Sequence, residues 1–148
     1  RFFHKELDKH FFMLDISGSI KGALKVFDDD PEKSSLLEPM GRASRIYYNL
    51  RDFKADIAKG YINIPIEELD RHGITDNDLE NIVAGEMPIG INNWMIDQSK
   101  TGLELIGEHK KMMGDNEFNL LGRLALRYAF MKPASRYFKN FIKKASKS

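Results

Sequence analysis

Apolar residues recur at helical spacing along almost the whole chain, and that pattern leaves room for little but packed helices. Phe3, Leu7, Phe11 and Leu14, then Ile16, Ile20, Leu24 and Phe27, predict a first helix over 2–27, which Asp28-Asp29-Asp30-Pro31 ends. A second helix is expected after Ser34 or Ser35, either of which can cap it. It runs to about 59, where Gly60 suits the left-handed residue past a helix end. The stretch 61–65 reads as a short extended connector, because Gly60 has broken the hydrogen-bond ladder and Pro65 disfavours a helical residue before it. Pro65 starts a brief helix through 71, closed by His72-Gly73, and Thr75 or Asp76 caps another to about 84. After Gly85 and Pro88 a long amphipathic stretch with Trp94, Ile96, Leu103, Leu105 and Ile106 reaches 113, and Trp94 and Met95 are expected in the core. Gly114-Asp115-Asn116 separates it from a helix over 118–131, and Pro133 separates that from a last helix through 147. With no repeat or low-complexity tract, the expected fold is all-α, one helical domain over 1–148.

Charge and composition narrow the partners. Lys and Arg number 23 against 22 Asp and Glu, so no overall field favours nucleic acid. There is no cysteine, which excludes disulfide and thiolate chemistry and fits a reducing compartment. Apolar runs such as Phe11-Phe12-Met13-Leu14 stop far short of the roughly 20 residues that span a bilayer. No signal-peptide pattern opens the chain, so a cytoplasmic location is expected. The first residue is Arg1 rather than Met, from which a removed N-terminal portion is expected.

The second helix carries the polar residues that most resemble a site. Arg45, Asn49, Asp52 and Asp56 fall within a narrow arc of the helical wheel, with Lys59 near its edge. Two acids, an amide and two bases on one stripe are unlike a core face. They fit a Mg²⁺-diphosphate site, since Mg²⁺ takes one or two carboxylates plus phosphate oxygens while nearby cations neutralise the rest. They equally fit a solvated face laced with ion pairs, the commoner use of such spacing.

The order of residues from Arg51 onward carries more information. Arg51-Asp52, three residues, Asp56, then Gly60, Ile64-Pro65, Glu68-Leu69, Gly73-Ile74 and Asp78-Leu79 resembles the second aspartate-rich motif of squalene and phytoene synthases. Upstream, Ile16-Ser17-Gly18-Ser19-Ile20 is similar to that family's Val-Ala-Gly-x-Val helix. The resemblance implies the C-terminal half of a helical isoprenoid synthase fold, in which two isoprenyl diphosphates condense head to head through a cyclopropyl diphosphate. It implies Asp52 and Asp56 as Mg²⁺ ligands and, with Arg51, as catalytic residues, Arg51 lying beside the diphosphate or bracing the acids. It implies substrate contacts from Arg45, Asn49, Lys59 and Gly18. An NADPH-dependent reductive step is left open. The sequence departs from the pattern at Phe12, Tyr48, Ala55, Tyr61 and Asn63. The family's first aspartate-rich motif belongs upstream of Arg1, so the missing half, or a separate subunit, is an expected partner. The other reading is a non-catalytic scaffold or assembly factor that keeps the helices.

Several further features carry expectations. Asp28-Asp29-Asp30 reads as a solvated turn. Gly18 and Gly22 predict close helix packing, with room for an isoprenoid tail as the sharper reading. His4, His10, His72 and His109 lack metal-ligand spacing and read as surface or packing residues. After Glu117 no acid appears, and the last helix puts Phe138, Phe141, Ile142 and Ala145 on one face with Arg136, Lys139 and Lys143 beside it. Packing on the other helices is the favoured reading of that face; weak peripheral association with an anionic membrane is the alternative.

Overall fold

The computed structural model describes residues 2–113 and 118–146, with the backbone alone over 12–14, and contains no strand among them. In chain order the elements are α1 (His4–Leu7), a π-helical stretch (Asp8–Ile16), α2 (Ser17–Val26), a 3₁₀ stretch (Pro31–Leu37), α3 (Glu38–Ala58), α4 (Ile66–His72), α5 (Asp76–Ala84), α6 (Ile89–Met112), α7 (Leu120–Ala125), a second π-helical stretch (Leu126–Met131) and α8 (Lys132–Ala145). The all-α expectation therefore holds.

Helices α3, α6 and α8 form the centre, α3 packed along α6 and α6 along α8. Leu50, Phe53, Ile64, Ile91, Trp94, Met95, Ile106 and Phe138 fill the space between them, and α4 and α5 close it with Leu69, Leu79 and Ile82. Phe53 and Trp94 meet with ring centroids 5.4 Å apart. Gly102 makes the α6–α8 approach possible, because a Cβ there would run into the Phe138 ring. The apolar face of α8 turns into the bundle: Phe138 is fully buried, Phe141 and Ile142 are half-buried, and Tyr137 donates to the Leu50 carbonyl at 3.0 Å. A second apolar cluster, Ile20, Leu24, Leu37, Met40, Phe118 and Leu126, joins α2, the 3₁₀ stretch and the 120–131 segment to the start of α3.

The boundaries differ from the sequence expectation in four places. The helix over 2–27 is α-helical only at its ends, with a π-helical middle. The Ile16-Ile20-Leu24 series lies along the α-helical part, α2, where its spacing holds. Neither Ser34 nor Ser35 caps the second helix; Asp30 accepts from the Glu32 amide at 2.9 Å and starts the 3₁₀ stretch that leads into α3. Pro133 does not separate two helices. It sits in the first turn of α8 directly after π-helical turns, which move the preceding carbonyls away from the position a proline ring would strike. Gly18 and Gly22 do not pack closely against any described residue, since a Cβ at either would meet none within 4 Å. The Gly114-Asp115-Asn116 separator and Lys147 lie outside the described residues, as does the side chain of Phe12.

Other local signals hold. Gly60, Gly73 and Gly85 take positive φ of 83°, 61° and 103° past the ends of α3, α4 and α5. Thr75 caps α5 in a reciprocal box: its Oγ1 accepts from the Asp78 amide at 3.3 Å, and its own amide donates to Asp78 at 2.8 Å. The Asp28-Asp29-Asp30 turn is more than solvated. Asp29 accepts from the Asn119 amide at 3.2 Å, and Asn119, which caps α7 by accepting from the Gly122 amide, donates its side-chain amide to the Phe27 carbonyl.

Candidate functional site

Helix α3 places its polar stripe along one side of a cavity of about 600 Å³ that opens between α1, the first π-helical stretch, α3, α4 and α6. Arg45 and Asn49 line it, together with Phe11, Asn63, Trp94 and Gln98. Asp52 and Asp56, one and two turns further along α3, are outside that lining, as are Arg51, Lys59 and Gly18. Gly18 is exposed on α2.

Arg45 links the cavity to the acids. Its guanidinium lies 3.5 Å from the centre of the Phe11 ring, a cation–π contact. Burial works against its charge and lowers its pKa, and the nearby carboxylates of Asp15, Asp56 and Asp52 offset only part of that. Asp15 is thus a third acid in the same field, contributed by the first segment rather than by α3.

The two motif aspartates have different partners. Arg51 grips Asp52 with both arms of its fork, Nε to Oδ1 at 2.8 Å and Nη2 to Oδ2 at 2.6 Å. That hydrogen bonding holds the Asp52 carboxyl below the usual carboxylate range, with further help from the charges of Lys59 and Arg45, and raises the Arg51 pKa in turn. Arg51 also lies over the Tyr48 ring at 4.7 Å, so one of the departures from the family pattern braces the arginine that braces Asp52. Asp56 accepts from Asn63 Nδ2 at 3.2 Å, and the Asn63 carbonyl accepts from Asn49 Nδ2 at 3.1 Å. Asn63 therefore ties the 61–65 connector to two residues of the stripe. Sequence reasoning registers it only as a departure.

Among the described residues no three His, Asp or Glu side chains converge to hold a metal ion. A cation held by Asp52 and Asp56 would have to draw the rest of its shell from water or a ligand, as Mg²⁺ does. The Arg51 fork on Asp52 would have to open or share its oxygens.

Two residues that line the cavity, Asn49 of α3 and Trp94 of α6, each keep a buried polar atom, Oδ1 and Nε1, without a hydrogen-bond partner among the described residues. On the α4–α6 side, His72 Nε2 lies 3.3 Å from Glu68 and 3.9 Å from Asp97, and Arg71 reaches Asp97 at 3.4 Å. His72, expected as a surface or packing residue, is packed beside these two acids. The cluster escapes a sequence reading because α4 and α6 contribute it jointly.

No known protein-family profile, curated protein or solved structure matches the chain. The likeness to squalene and phytoene synthases remains one of motif order.

Proposed function

We propose that this chain carries the second diphosphate-binding element of a Mg²⁺-dependent enzyme that joins two isoprenyl diphosphates head to head. The observation that carries the proposal is Arg45, which lines the 600 Å³ cavity and sits in the field of Asp52 and Asp56 on the same helix face. Asp52 and Asp56 would hold Mg²⁺, whose charge neutralises a departing diphosphate. Arg45 and Lys59 add fixed positive charge on either side of the acids. Phe11, Ile46, Trp94 and Leu105 give the cavity apolar walls, which suit an isoprenoid chain and keep water from a carbocation. A facing set of carboxylates is needed to ionise the substrate, so the chain alone is expected to bind without turnover.

A second reading has its own support. Both oxygens of Asp52 are engaged by Arg51 and one oxygen of Asp56 by Asn63, so both acids of the stripe are held without a ligand. A scaffold that keeps the helices needs no more. Titration calorimetry with farnesyl diphosphate, with and without Mg²⁺, separates the two. The enzyme reading expects Mg²⁺-dependent binding that Asp52→Asn with Asp56→Asn abolishes while the circular dichroism stays helical. Binding unchanged in that double variant, or absent from the wild-type chain, leaves the scaffold.

A further inference from the structure

At the other end of the molecule the 118–146 region gathers cations and exposed leucines without acids. Leu120, Leu121 and Leu124 are 61 %, 68 % and 41 % exposed, and Tyr128 is 56 % exposed. At 100° per residue the three leucines span an arc of about 100°, and Tyr128 continues it one turn on. Behind this ridge a cleft of about 470 Å³ opens between α6 and the 123–135 stretch, lined by Lys110, Arg123, Arg127 and Lys132 with the Ser135 hydroxyl, and no carboxylate of the described residues lines it. Lys110, Arg127 and Lys132 form no ion pair within 4 Å with any described residue. Lys132 Nζ lies 4.0 Å from the centre of the Tyr128 ring, which joins the cationic cleft to the apolar ridge.

We infer that this face docks on an anionic lipid bilayer, with Leu120, Leu121, Leu124 and Tyr128 at the level of the acyl boundary and Lys110, Arg127 and Lys132 among the headgroup phosphates. Charge complementarity decides the occupant: cations that form no ion pair with a described residue, beside a narrow apolar ridge, are the arrangement by which interfacial helices hold anionic lipid, whereas a soluble phosphate leaves the leucines in water. The inference does not rest on the diphosphate reading, and it assigns lipid contact to α7 and the following π-helical turns. The apolar face of α8 is spent on the bundle core.

The test is co-sedimentation of the full chain with phosphatidylcholine vesicles, with and without phosphatidylglycerol. Binding is expected only with phosphatidylglycerol, and it falls as salt rises. Arg127→Gln with Lys132→Gln should lower the partition about 25-fold, about five-fold per cation. Leu120→Ser with Leu121→Ser should lower it about ten-fold or more, both pairs being exposed and the circular dichroism unchanged. Arg136→Gln with Lys139→Gln and Lys143→Gln, on the flanks of α8, serves as the control and should lose less than either. Equal binding to neutral vesicles, a leucine variant that partitions like the wild type, or a control that loses most overturns the inference. So does a wild-type dimer, detected by light scattering, that the leucine changes dissolve, since the ridge would then belong to a second copy of the chain.

Discussion

The two apolar clusters of this molecule are built on different backbones. Around α3, α6 and α8 the helices are long and α-helical, bury their largest side chains completely, and meet across Gly102. Around α2, the 3₁₀ stretch and Leu126 the backbone passes through both π-helical segments and the 3₁₀ stretch, and exposed leucines stand beside the cluster. The contrast teaches where regular geometry suffices. A helix with apolar residues in α-register on one face packs without adjustment. One that must absorb a proline, as α8 does at Pro133, takes wider turns ahead of it.

The largest expected effect breaks the first region. Phe138→Ala removes a fully buried ring from between α6 and α8 and should cost about 3–5 kcal/mol, read as a lower denaturant midpoint with an unchanged slope. Gly102→Val, which forces a side chain into the Phe138 ring, should cost about 1–3 kcal/mol or more. If either were neutral, α8 would not be part of the core. Leu24→Ala in the second cluster should cost about 2–5 kcal/mol. Its informative readout is hydrogen exchange: faster exchange confined to α2 and the 120–131 segment would separate the two regions, and uniform loss would join them.

How much of the fold and the site is legible in the sequence follows from the range of each contact along the chain. The α3 stripe is a matter of i and i+4 spacing, so helical periodicity alone puts Arg45, Asn49, Asp52 and Asp56 on one face. Lys59 and the closing Gly60 follow from the same helix end. Contacts between separate elements leave no such trace: Phe11 against Arg45, Asn63 across Asn49 and Asp56, and His72 between Glu68 and Asp97. The π-helical stretches leave no mark in a reading whose periodicity is fixed at 3.6 residues per turn.

An intermediate effect sharpens the boundary between the regions. Asn119→Ala removes the cap of α7 together with the link from its side chain to the Phe27 carbonyl. The expected cost is about 1 kcal/mol, within the roughly 0.5–2 kcal/mol typical of caps. Thr75→Ala, which breaks the box on α5 in the first region, should cost about the same. The two differ in reach: Thr75→Ala should speed exchange only in the first turn of α5, whereas Asn119→Ala should also loosen the 27–30 turn, because the lost side-chain amide donates to the Phe27 carbonyl.

The smallest effect is a pH dependence at the seam of the two regions, where His109 of α6 lies 2 % exposed with Nδ1 3.3 Å from the Leu36 carbonyl. Burial lowers its pKa from the ordinary 6.5, the hydrogen bond to Leu36 opposes that shift, and the charge of Lys110 adds to it. Below pH 6.5 the unfolded chain therefore binds a proton at this residue that the folded chain declines. Stability rises with pH wherever the unfolded state holds more protons, so this contribution is complete above the unfolded pKa and is lost as pH falls through 6.5 toward the folded value. His109→Gln keeps a donor for the Leu36 carbonyl and removes the titration. Thermal unfolding of the two proteins from pH 8 to pH 5, the range in which a histidine titrates, should show the wild type losing ground to the variant on the acid side alone. A constant difference across that range would mean that His109 stays equally protonated in both states, and that the seam between the clusters is open to water.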